Sequence, residues 1–219
     1  MPIHARLSFV AAVFTIAAPW GAFAAESDLS WNARLMLAAR DSDVPALERA
    51  LGAGASPNSR NRFGETALLV ALKKNDVAMA KTMLEAGTDV SLASVQGVTP
   101  LMAAAHAGNA PMVQALLARG AKVEPVDRLG KNAMIYAAGQ GHAQVVTQLL
   151  ATGIDPNAAY HNGLTALMWA AGYGRSGAVK VLLESGARVD MKDNRGKTAR
   201  DIAGEGGYAE TVTLLEGWK

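Results

Sequence analysis

The sequence predicts an all-α repeat solenoid, and three observations predict it. First, a polar anchor recurs at Thr66, Thr99, Asn132, Thr165 and Thr198, each 33 residues after the last. Second, other slots keep the same register. Glycine stands two residues before every anchor, at Gly64, Gly97, Gly130, Gly163 and Gly196. Leucine stands eighteen residues after the first four anchors, at Leu84, Leu117, Leu150 and Leu183, and glycine three residues beyond that, at Gly87, Gly120, Gly153 and Gly186. Third, half of the 219 residues are apolar but only 5% are aromatic, a balance of Ala and Leu that suits short, close-packed helices. Recurrence in several slots over five units marks one structural module copied in tandem.

In chain order, residues 1–24 stand apart. His4 and Arg6 give a basic start. An apolar run follows from Leu7 to Ala18, broken only by Ser8 and Thr15, and then comes "PWGAFA" with Ala22 and Ala24 at small-residue positions. The run is too short to span a bilayer and reads as a secretory signal peptide cleaved after Ala24. The expected mature chain, 25–219, is exported to the bacterial periplasm without a stable membrane anchor. The sequence has no cysteine, so neither a disulfide nor a lipid-bearing cysteine is available.

Six units follow, at about 28–60, 61–93, 94–126, 127–159, 160–192 and 193–219. The first, "SWNARLMLAARDSDVPALERALGAGASPN", has Ala33 in the anchor slot and Leu51 in the leucine slot. The central units carry two apolar runs each. Leu101, Ala104 and Ala105 share one helical face, as do Met112, Val113, Leu116 and Leu117. Helices this short do not persist alone in water, so neighbours must stack and bury a common face. The pairs Ala104–Ala105, Ala137–Ala138 and Ala170–Ala171 permit close approach, and Pro100 suits the first turn of a helix. The glycine before each anchor is expected at positive φ in a tight turn, and the one after each leucine as a left-handed helix cap. Between units a connector such as "ARVDMKDNRGKT" should project as a hairpin-like finger. The last unit puts Arg200 and Asp201 at otherwise apolar positions, as a solvent-facing cap requires.

The stretches "GVTPLMAAAHAGN" and "LLARGAKV" resemble the ankyrin repeat family, and the resemblance runs from about Asp28 to Lys219. Together with the export signal, the chain resembles small periplasmic ankyrin proteins of Gram-negative bacteria, some of which are associated with a periplasmic catalase and peroxide resistance. The resemblance implies a binding module whose contact slots lie four, three and one residues before the anchor and seven and eight after it, on a concave face of fingers and first helices. Here those slots hold the cations Arg62, Lys73, Lys74, Arg128, Lys131, Arg195 and Lys197 against only Glu65 and Glu205. That is a net of +5, whereas removal of Arg6 with the signal leaves 20 basic and 19 acidic residues in the mature chain. Phe63, Val95, Val98, Leu129, Leu164 and Tyr173 interleave apolar surface, and His106 and His161 fall on the same row. The expected partner is a protein with an acidic, partly apolar surface, met by a monomer. One slot departs from the family. Three residues after the anchor, where a loop-bonding His is usual, stand Leu69, Met102, Ile135, Met168 and Asp201. An apolar contact between units is expected there, with the loop network absent or altered.

Motifs for chemistry are missing. His106, His142 and His161 form no HExxH pattern, and His142 sits where the family commonly carries a structural His. Met102, Met134 and Met168 recur near the repeat period and would suit thioether binding of copper, but they occupy apolar slots and are read as core. No GxSxG elbow occurs, and "GQGHAQ" and "GYGRSG" lie between helices, not after a strand. The expectation is a protein without catalysis, cofactor or metal. Nucleic acid is discounted for want of an aromatic stacking row. An inhibitor or immunity protein for an exported toxin or lipase would use the same surface.

Overall fold

The computed structural model describes residues 29–218. The reading of residues 1–24 as a signal peptide lies outside them. Among the described residues twelve α-helices form, in six antiparallel pairs: α1 (Trp31–Asp41) with α2 (Val44–Gly52), α3 (Ala67–Lys73) with α4 (Val77–Glu85), α5 (Pro100–His106) with α6 (Ala110–Ala118), α7 (Ala133–Gln140) with α8 (Ala143–Leu150), α9 (Ala166–Gly172) with α10 (Ser176–Glu184), and α11 (Ala199–Glu205) with α12 (Ala209–Glu216). Among the described residues the extended pairing is limited to one antiparallel bridge, between Arg60 and Thr66.

The anchors are helix N-caps. Side-chain oxygens of Thr66, Thr99, Asn132, Thr165 and Thr198 each accept the amide three residues on, at 3.0–3.3 Å. Loss of such a cap costs about 1 kcal/mol, which accounts for a capping residue, Thr or Asn, in all five copies. The first unit departs from the pattern. Ala33 cannot cap, and Ser30 does so instead, accepting Ala33 N–H at 3.2 Å. Capped there, α1 starts a turn sooner relative to the repeat register and runs eleven residues.

Two helical layers result. First helices pack in series, α1 on α3 through to α9 on α11, while second helices stack behind them. The alanine pairs are fully buried between first helices. Leu69, Met102, Ile135 and Met168 are likewise buried, so the slot that lacks His carries an apolar contact between units. Met134 is buried as well, which makes all three recurring methionines core residues.

The loops are tied by other means. Val95 N–H donates to Phe63 C=O at 2.8 Å, Arg128 N–H to Gln96 C=O at 2.9 Å, and Asn194 N–H to Asn162 C=O at 2.9 Å, linking successive fingers. On the far side Asn58 and Asn157 accept amides of Asp89 and Arg188 from the next unit, both at 2.8 Å. The turns between paired helices are also clasped. Lys74 Nζ donates to Arg40 C=O and to Ser42 Oγ of the preceding unit. His142 Nε2 donates to His106 C=O at 3.0 Å while its ring covers Gly108. Arg175 and Tyr208 cover Gly141 and Gly174 in the same way. Fingers and turns thus form two further rows of contacts beside the apolar stack.

Candidate functional site

Four of the five fingers are braced by a short polar residue five before the anchor, Asn61, Ser94, Asp127 and Asp193. Asp127 Oδ1 accepts the amides of Leu129 and Lys131, both at 2.9 Å. Asp193 Oδ1 accepts those of Arg195 and Lys197 at the same distance, and Asn61 Oδ1 those of Phe63 and Glu65. These bonds hold the Asp193 carboxyl below the usual carboxylate range, the Lys197 amide foremost, with Arg195 adding to it. The fourth finger differs. Tyr160 occupies the bracing position, so the turn becomes a short 3-10 segment, His161–Gly163, with Asn162 at φ 61. Tyr160 OH instead accepts from Asn132 Nδ2 at 2.7 Å.

The predicted contact residues are unequal once placed. Among the seven cations, Lys73 is bound to Glu65 at 2.7 Å, Arg195 to Asp193 at 2.7 Å, and Lys197 to Glu205. Burial pushes the Glu65 carboxyl up, but hydrogen bonds from Lys73 and Asn61 more than reverse this and leave it below its ordinary value. Lys74 is engaged in the clasp described above. Three of the seven are thus already paired: Lys73 and Lys197 because residues one before and seven after the anchor face each other across the finger base, and Arg195 because it folds back onto the bracing Asp193. Among the described residues, Arg62, Arg128 and Lys131 have no carboxylate within salt-bridge distance.

The apolar slots also divide. Leu129 is 66% exposed, Phe63 54%, Val95 50% and Tyr173 49%. Val98 and Leu164, expected to be exposed, are half-buried against the core, because the residue next to the anchor already turns inward. Arg62 lies over the Phe63 ring at 4.8 Å. His106 and His161 are both exposed. His106 meets Tyr136 edge-on at 5.6 Å and lies 3.2 Å from Gln140 Nε2, while the His161 side chain packs over Gly130.

Two residues that sequence reasoning missed stand at the centre of this face. Tyr136 and Trp169 occupy the slot four after the anchor, where other units hold Val70, Ala103 and Ile202. Trp169 stacks on Tyr173 with centroids 6.0 Å apart and planes at 18°. Lys131 Nζ lies 4.4 Å from the Trp169 centroid and 5.8 Å from that of Tyr136. Tyr136 OH donates to Asp127 Oδ2 at 2.5 Å, and burial, followed by that carboxylate, raises its pKa far enough to keep the phenol neutral. The available signal was rarity: aromatics make up 5% of the chain, and two share one slot in adjacent units.

The finger ladder is broken at one place on this face. The bond joining His161 N–H to Leu129 C=O, which the other junctions would predict, is not formed. A cleft of about 300 Å³ opens there, lined by Leu129, Lys131, His161, Leu164 and Trp169 among others. A second, of about 210 Å³, adjoins it through Leu164 and Trp169 and reaches Met168, Tyr173 and Ile202. Among the described residues no three His, Cys, Asp or Glu side chains gather closely enough to hold a metal ion. No described helix is long and apolar enough to cross a membrane.

A family model described as ankyrin repeats, in three copies, matches residues 35–127, 86–160 and 134–217. A crystal structure of an ankyrin repeat protein is similar, with 30% sequence identity and a TM-score of 0.77, over 86% of this chain and 98% of the other. No curated protein gives a significant match.

Proposed function

This chain belongs to the ankyrin repeat family, and from that premise we propose that it is a non-enzymatic binding module of the bacterial periplasm, gripping a partner protein through its fingers and first helices. Ankyrin repeats are protein–protein interaction modules. The observation that carries the reading is the exposed row Phe63, Val95, Leu129 and Tyr173, interspersed with the unneutralised Arg62 and Arg128. Exposed apolar area of this kind, mixed with arginine and aromatic rings, is what energetically central contact residues provide. The partner is a protein whose surface is acidic and partly apolar. Export to the periplasm is supported by the pattern of residues 1–24. Support of a periplasmic enzyme such as a catalase, in defence against peroxide, is the role that the resemblance favours.

The test is affinity capture of the tagged mature chain from periplasmic extract, alongside an Arg62→Glu/Arg128→Glu control. Recovery of a periplasmic enzyme by the parent, and its loss from the variant, supports the reading. Capture of an exported toxin or lipase instead would assign an inhibitor or immunity role. Equal recovery by parent and variant refutes the finger-face assignment. Cell fractionation, with N-terminal sequencing expected to begin at Ala25, checks the export.

A further inference from the structure

We propose that the break in the finger ladder is a peptide-docking cleft, which takes an extended segment of the partner bearing a carboxylate next to an apolar side chain. This deepens the binding reading above and rests on it. Three observations meet at one place. Tyr160 replaces the short bracing residue of the other fingers, so the His161–Gly163 turn forms without the Leu129–His161 backbone bond. The cleft left between the third and fourth fingers has a volume near 300 Å³, at the lower end for a ligand pocket. Its wall holds Lys131, the partly buried member of the unneutralised cations.

Lys131 is positioned and unspent. Its backbone N–H is fixed by Asp127, and its ammonium lies against the Trp169 ring at 4.4 Å. Cation–π contact orients the group but leaves N–H donors free, and among the described residues no carboxylate approaches them. The equivalent slots of two other units are different. The lysine one before the anchor in the last unit, Lys197, is consumed by Glu205, and the Glu65 that fills the slot in the second unit consumes Lys73. In the fourth unit the facing positions are Gly139 and Gln140, which cannot neutralise Lys131. A carboxylate supplied by the partner therefore finds a donor on a half-apolar wall, where the attraction is screened less than at an open surface.

The adjoining cleft gives the second half of the specificity. Leu164, Met168, Trp169, Gly172 and Ile202 are apolar, with Tyr173 stacked along the side. Arg195 borders it but is already paired with Asp193. An aliphatic or aromatic side chain fits there, one or two positions from the carboxylate. A basic segment would meet Lys131 and Arg128.

The experiment is a selection of random linear peptides on the full mature chain, followed by calorimetric titration of the enriched peptides and NMR mapping. The expected result is enrichment of Asp or Glu beside Leu, Phe or Trp. Affinity should fall about tenfold on Lys131→Met and on Trp169→Ala, and largely return with Lys131→Arg. Melting curves establish that each variant is folded, and Lys180→Ala on the second-helix layer should leave binding unchanged. Enriched peptides that are basic or wholly apolar, or Lys131→Met binding like the parent, overturn the inference. If such peptides still map to the fingers and are lost from Arg62→Glu/Arg128→Glu, the broader binding reading survives. Peptides mapping to the second-helix layer overturn both.

Discussion

Replacing Gly97 by alanine should destabilise the stack more than the same replacement at Gly120, and the difference measures the contact between fingers. Both glycines have left-handed backbones, at φ 79 and φ 82. Alanine in that region costs about 1–2 kcal/mol at either site. The lost freedom of the unfolded chain is also the same, so it cancels in the comparison. The surroundings differ. A Cβ at Gly120 meets nothing within 4 Å, whereas one at Gly97 lies 3.1 Å from Asp127 Cα, which is backbone of the next finger and cannot rotate away. That finger must shift, loosening the neighbouring bond from Arg128 N–H to Gln96 C=O, for roughly 1 kcal/mol more. Gly97→Ala is expected to cost about 2–3 kcal/mol and Gly120→Ala about 1–2 kcal/mol. Urea unfolding followed by circular dichroism measures each, and hydrogen exchange checks that the extra loss is centred on the second and third fingers, since a repeat array need not unfold as one unit. A Gly97→Ala midpoint equal to or above that of Gly120→Ala would refute the idea that the fingers are mechanically linked.

Three further outcomes are expected. Met168→Ala should cost about 2–5 kcal/mol in the same urea assay, since the side chain is buried between units and leaves a cavity. The Asp193 carboxyl is held below its ordinary value of 3.8, so its stabilisation is present above that pH and is lost as pH falls through the depressed folded value; Asp193→Asn should be less stable at neutral pH and lose less on acidification, and parallel acid titrations that superimpose would contradict this. Once a partner is in hand, Arg62→Glu/Arg128→Glu should slow association by about tenfold at low salt and flatten its salt dependence, read by stopped-flow. Reversal at Arg195 is a poorer probe, because it sets a second carboxylate against Asp193 and disturbs the turn.

What the sequence determined by itself was the repeating unit. A period of 33 residues, glycines at fixed distance from a capping Thr or Asn, and paired apolar runs specify helix, turn and buried face, because each depends on residues a few positions apart. The apolar contact in the slot lacking His was legible for the same reason. What only the tertiary structure decided was how side chains meet across units. Ser30 rather than Ala33 caps α1, Lys74 and His142 clasp the preceding turn, Glu65 and Glu205 neutralise two of the expected binding lysines, and Trp169 joins Lys131 at the floor of a broken ladder. Periodicity registers which positions turn inward but not the rotation of one unit on the next. That rotation sets which long side chains, thirty or so residues apart, come within a hydrogen bond of each other, and hence which charges are left to greet a partner.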